Sequence, residues 1–296
     1  MRTPESRKAE WALLAVTALW GISFVAVKSG LEDCSSLLFV ALRFSIASAL
    51  LAVRYASSLR TCGAALPGGF WAGVCLAAGY VLQTAGIRLT TPARAAFLTA
   101  VFVVLVPLLS ACVHRNVPSV TEGLGVLAAF LGISLLSAPD AVPGTGLAAG
   151  DLLILACAVA YAAHMLVVGH YATRCPHAMF AFTQVAVVAV LALGTFWWLE
   201  VPRLQWTSRL GWALLLSAVL CTAIPFAVQS WAQRHTSATR AALIFSLEPV
   251  FASVTSYFVT GESFSRQALA GAALILAGVL TVELRPFQLL RPAPKP

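Results

Sequence analysis

Charged side chains are scarce in this sequence: 10% of its 296 residues, against about a quarter in an ordinary soluble domain. Hydrophobic residues make up 60%, and the mean hydropathy is +0.88. So much apolar surface has no place in one soluble core, and lipid is its natural solvent. Hydrocarbon admits only helices or closed barrels. The short alternating strands of a barrel are missing, and long continuous apolar runs stand in their place, so the chain is read as an all-α integral membrane protein.

Other absences exclude activities. The net charge of +8 comes with no basic cluster, which removes the footprint of a nucleic-acid binder. Seven cysteines (34, 62, 75, 112, 157, 175 and 221) show no C-x-x-C spacing and read as small buried hydrophobes. His170, Cys175 and His177 share a short loop and make a poor zinc site. No Walker A sequence is present, so this chain alone does not drive transport with ATP. An embedded enzyme would need a nucleophile, metal cluster or acid pair at workable spacing; none is seen, and no cofactor is implied. After the polar start MRTPESRKAE there is no small-residue cleavage site of the usual kind, so the first apolar run reads as a retained helix.

What is present is a series of runs of spanning length. They fall at 11–29, 36–55, 69–88, 94–113, 120–137, 149–170, 178–199, 210–233, 238–259 and 267–284. The connections are short and rich in turn residues, with no loop large enough for a soluble domain. Placing the N-terminus in the cytoplasm puts twelve Lys and Arg residues inside and six outside (Lys28, Arg88, Arg94, Arg203, Arg209 and Arg266), with Arg43 in the membrane. The positive-inside rule therefore sets both termini in the cytoplasm.

The sequence also repeats. Gln83 aligns with Gln229 at a shift of 146 residues, and at that shift Arg88 meets Arg234, Thr90 meets Thr236 and Arg94 meets Arg240. Val104 and Val250, Ser110 and Ser256, Gly125 and Gly271, and Gly132 and Gly278 keep the same register. Earlier the shift is 141, with Cys34 on Cys175 and Phe39 on Phe180. A five-span unit is odd, so its second copy enters the membrane upside down. The expected architecture is ten transmembrane helices as two inverted five-helix repeats, residues 1–144 and 145–296. Secondary transporters use such repeats for alternating access around a midplane site. Thr91-Pro92 and Ser237-Ala238 occupy corresponding helix starts, and the paired glycines read as close helix packing.

The segments ALWGISFVAVKSG (18–30), YVLQTAGIRLTTPARAAFL (80–98), AVQSWAQRHTSATRAALIFSLEPVFA (227–252) and GESFSRQALAGAALILAGV (261–279) resemble the EamA-type ten-helix branch of the drug/metabolite transporter superfamily. The resemblance covers nearly the whole chain. It implies a bacterial inner-membrane carrier exporting amino acids, metabolites or drugs. A ten-helix unit already contains both repeats, so the chain is expected to work as a monomer or homodimer. The resemblance also implies a central cavity among spans one, three, four, six, eight and nine. A sugar-phosphate or nucleotide-sugar exchanger is the alternative, but it would want several intramembrane cations, and only Arg43 qualifies.

Ionisable groups deep in a membrane face a cavity or a partner. Glu248 lies near the middle of the ninth span, and its repeat equivalent is Phe102. It either titrates or binds a cationic substrate group, or is locked to a neighbouring helix. Arg43 pairs with Glu248 or another partner, clamps carbonyls, or binds a substrate carboxylate; Gln184 is its repeat equivalent. Gln83 and Gln229 line the cavity or bond between helices. Trp20, Tyr80, Tyr161 and His164 are candidates for the same wall, His164 either as a proton relay or as a packed, bonded side chain. Lys28 is expected to snorkel to the surface. Pro107, Pro225 and Pro249 are expected to interrupt the fourth, eighth and ninth spans as hinges.

Overall fold

The structure, a computed structural model, describes residues 4–90, 92–114, 119–137, 149–260 and 266–284. A helix stands at each predicted run. They are α1 (Pro4–Gly30), α2 (Ser36–Arg54), α3 (Leu66–Leu89), α4 (Pro92–Ala100), α5 (Phe102–His114), α6 (Val120–Ser137), α7 (Ala149–Tyr171) and α8 (His177–Leu199). There follow α9 (Ser208–Ala218), α10 (Ile224–Ala232), α11 (Ala238–Phe245), α12 (Glu248–Thr260) and α13 (Arg266–Leu284). A 3-10 helix, Ala56–Ala65, joins α2 to α3. No strand forms among the described residues, only an isolated bridge between Cys34 and Leu204. Among the described residues, eight helical stretches are long and apolar enough to cross a membrane; the apolar parts of α6 and α13, Gly123–Leu135 and Leu269–Gly278, are shorter. Thr91 and the expected repeat boundary at 144/145 lie outside the described residues.

Three predicted spans are broken. The fourth is split at Val101, where the Val101 amide donates to Leu98 O (3.3 Å) and Val101 O accepts from Val104 (3.0 Å) and Leu105 (3.4 Å). The ninth is split at residues 246–247, where Leu247 donates to Ile244 O (3.2 Å) and Leu247 O accepts from Val250 (3.0 Å) and Phe251 (3.1 Å). Each bond in one break has its counterpart 146 residues away in the other. Pro107 does not interrupt its helix as expected: α5 runs through it. A single missing amide is tolerated within a membrane helix when neighbours pack around it. The eighth span passes from α9 through a π turn, Val219–Ala223, into α10, with Pro225 in the first turn of α10. Pro249 likewise sits in the first turn of α12, where its missing N–H costs little.

Small residues bring the helices close. Across α6 and α13, a Cβ on Gly132 would stand 2.6 Å from Gly271 O, and one on Gly278 would stand 2.7 Å from Gly125 O. These two contacts exchange under the 146-residue shift. Without a hydrophobic drive between helices in lipid, such backbone approach is what holds them. Along α3, Gly73 meets Val187 and Gln184 O on α8, while Gly79 meets Tyr161 on α7. Outward faces carry apolar side chains such as Val190 (69% exposed) and Phe258 (78% exposed), as a lipid-facing surface requires.

At one end of the bundle the α1–α2 and α8–α9 connections are tied together. Arg209 grips Asp33 with two nitrogens (Nε to Oδ2 2.9 Å, Nη2 to Oδ1 2.7 Å) and also meets Glu32. The Thr207 hydroxyl donates to Asp33 and accepts from the Leu210 amide at 3.1 Å, capping α9. These donors hold the Asp33 carboxyl at about 2, below its ordinary 3.8. Glu200 Oε1 accepts from the amides of Leu37 (2.7 Å) and Leu38 (3.0 Å), placing a carboxylate at the positive end of α2. Lys28 reaches the end of a neighbouring helix. Its ammonium donates to the carbonyls of Ile87 (2.8 Å), Arg88 (3.2 Å) and Thr90 (2.9 Å), so it caps the C-terminus of α3.

Candidate functional site: a central cavity

The helix breaks open onto a cavity of about 630 Å³, mouth included, in the middle of the bundle. All eight residues expected at a cavity wall line it: Trp20, Arg43, Tyr80, Gln83, Tyr161, His164, Gln229 and Glu248. They come from α1, α2, α3, α7, α10 and α12. Phe102 opens α5 as Glu248 opens α12, and both reach the cavity.

Most of the polar wall is internally bonded. Pro225 has no amide to offer the carbonyl four residues back, that of Cys221. Two side chains serve that carbonyl instead, Trp20 Nε1 at 3.0 Å and Arg43 Nη2 at 3.0 Å. Arg43 Nε donates to Thr222 Oγ1 at 2.7 Å, and its guanidinium lies 4.8 Å over the Tyr80 ring. Arg43 is therefore a clamp on the π turn. Among the described residues it forms no ion pair with Glu248.

The Gln83 amide is engaged at both ends. Its Nε2 donates to Thr99 Oγ1 at 3.2 Å, and its Oε1 accepts from the Tyr161 hydroxyl at 3.0 Å. Its repeat partner differs. Gln233 Nε2 donates to Met165 O (3.3 Å), so Gln233 Oε1 must accept from Gln229 Nε2 (3.0 Å). That order leaves Gln229 Oε1 buried with no donor. For His164 the direction is fixed in the same way. Ser230 donates to Phe226 O (2.7 Å) and accepts from Gln184 Nε2 (3.0 Å), so Gln184 Oε1 faces His164 Nε2 at 2.8 Å and accepts a hydrogen bond from its N–H. Gln184, the repeat equivalent of Arg43, thus ties α8 to α7 and α10.

Residues 7–138 and 148–284 each match the EamA-like transporter family. The chain belongs to that family. An uncharacterized transporter of Archaeoglobus fulgidus is 32% identical over 277 residues, covering 94% of this chain and 86% of its own length. The uncharacterized transporter YoaV of Bacillus subtilis is 22% identical over 278 residues, covering 92% of this chain and 95% of its own. A crystal structure with 20% identity shares the fold, with a TM-score of 0.79 over 98% of this chain and 100% of that one. The EamA-like protein described here is a multi-pass membrane transporter.

Glu248 is 6% exposed, and among the described residues its carboxylate meets neither a hydrogen-bond donor nor a cation. Close by, Gly21 of α1 lets the two helices touch: a Cβ there would stand 2.9 Å from Glu248 O and 2.5 Å from Phe251 Cβ. Sequence reasoning missed Phe226, Phe245, Thr84 and Thr99 among the wall residues of this EamA-like cavity. The two phenylalanines pack against Trp20, Phe226 tilted and Phe245 edge-on, at 5.8 and 4.9 Å between centroids. Phe and Thr are ordinary in any apolar helix, so only their neighbours mark them. The partner of Arg43 lies 179 residues away and carries no local signal.

Proposed function

We propose that this protein is a secondary carrier that exports small metabolites, such as amino acids or drugs, by alternating access. Its two halves, residues 1–144 and 145–296, form inverted five-helix repeats that cross a bacterial inner membrane ten times, with both termini in the cytoplasm. The observation that carries this reading is the pair of matching helix breaks, at Val101 and Leu247, facing one cavity. Two supports that interchange under the repeat give two conformations of similar energy, one open to each side. The crossed glycine contacts of α6 and α13, and the two separate family matches, support the same symmetry. A phosphate-carrying exchanger is less well supported, since Arg43 is bonded to the π turn.

A cysteine at Thr84 on the cavity wall, in a background without the native cysteines, tests the mechanism. In proteoliposomes an impermeant maleimide labels a carrier from either side in turn. A solute found by metabolite-efflux screening raises labelling from one side and lowers it from the other. Full labelling from both sides at once, insensitive to solute, indicates a channel and refutes alternating access.

A further inference from the structure

The carrier reading leaves the substrate open, and the cavity's unmet valences narrow it. Its nitrogen donors are largely engaged: Trp20 Nε1, Gln83 Nε2, Gln229 Nε2, His164 Nε2 and two nitrogens of Arg43 all face protein acceptors. The acceptors are not. Gln229 Oε1 is buried without a donor, and the Glu248 carboxylate, at the cavity wall, has no hydrogen bond or ion pair among the described residues. A buried carboxylate and a buried amide oxygen without donors are costly, so a ligand with donors and positive charge is what the wall lacks.

Resting on the carrier reading, we propose that the substrate is an organic cation bearing an ammonium group, with Glu248 as its counter-ion and Gln229 Oε1 as an added acceptor. The remaining wall is aromatic, from Trp20, Tyr161, Phe226 and Phe245, and aromatic rings attract a desolvated cation. A bare metal ion fits poorly. Calcium and magnesium take six or more oxygens at close range, and no cluster of three His, Cys, Asp or Glu residues forms among the described residues. Arg43 makes no ion pair with Glu248: its guanidinium is bonded to Cys221 O and Thr222 and lies over the Tyr80 face.

Three probes of one shape but different charge test this on the detergent-purified full chain: phenethylamine, 2-phenylethanol and 3-phenylpropionate, measured by equilibrium dialysis. Phenethylamine is expected to bind at least about tenfold more tightly than the other two. Glu248→Gln is expected to remove that preference, and Glu248→Asp to keep part of it. The wild-type series needs no variant to fold, and thermal unfolding checks the variants. Equal or better binding of 3-phenylpropionate, no binding of phenethylamine at millimolar concentration, or an unchanged preference in folded Glu248→Gln overturns the proposal. Thr84→Cys labelling that alternates while the amine preference is missing removes the substrate class and keeps the carrier. An amine preference without alternating labelling removes the carrier and keeps the cation site.

Discussion

The carbonyl of Cys221 links three of the residues marked in the sequence, and it can be tested by a mutant cycle. Cys221 is fully buried, and its oxygen is served by Trp20 Nε1 and Arg43 Nη2 because Pro225 offers no amide. Trp20→Phe removes one donor and leaves the other, at a cost of about 0.5–1.5 kcal/mol, the net worth of one hydrogen bond. Arg43→Met removes the second donor and the bond to Thr222, but leaves Trp20 on the carbonyl. Together they orphan a buried acceptor, so the double variant should lose about 1–3 kcal/mol more than the sum of the singles. Pro225→Ala restores an amide four residues after Cys221, and in that background the excess should disappear. Unfolding in mixed detergent micelles, followed by helical circular dichroism, measures each corner. Additivity within about 0.5 kcal/mol, as for sites that share no partner, refutes the argument. So does an excess that Pro225→Ala leaves untouched.

The glycine contacts give a second test. Gly132→Ala places a Cβ 2.6 Å from Gly271 O and 2.8 Å from Ile275 N, and should cost about 1–3 kcal/mol by overpacking. Gly123→Ala, on the same helix with nothing within 4 Å, should be neutral or stabilising by up to about 1 kcal/mol. Equal effects in the same unfolding assay would sink the packing argument. Asp33→Asn supplies a pH test. The folded carboxyl is held at about 2 against an ordinary 3.8, so its stabilisation is full above the ordinary value and fades as pH falls toward 2. The wild type should melt above the variant at neutral pH, with the gap closing in acid; a gap that does not depend on pH contradicts the Arg209 clamp.

Apolar run length located the helices because a hydrocarbon layer permits little else. Polarity inside those runs located much of the cavity wall, because Arg43, Gln83, Gln229 and Glu248 have no tolerable place facing lipid. What composition could not show was which of these side chains are engaged. The bond from Arg43 to Thr222 spans 179 residues and that from Trp20 to Cys221 spans 201, so no local pattern reports them. The partners of Lys28 were hidden for a related reason. A lysine near a helix end looks alike whatever it bonds to, and here it donates to three carbonyls at the α3 terminus. Proline was an uneven guide. Pro225 and Pro249 mark breaks, Pro107 does not, and Val101 breaks its span with no proline beside it. The register between the halves was the better signal: Val101 and Leu247 carry the same bonds despite different neighbours. Across that shared backbone the side chains that follow are Phe102 and Glu248. On the carrier proposed above, a common break would let the two halves exchange shapes, while a single carboxylate on one of them would make the cavity chemically one-sided. That proposal therefore predicts that motion and substrate choice can be altered separately, the first at the backbone of both breaks and the second at position 248.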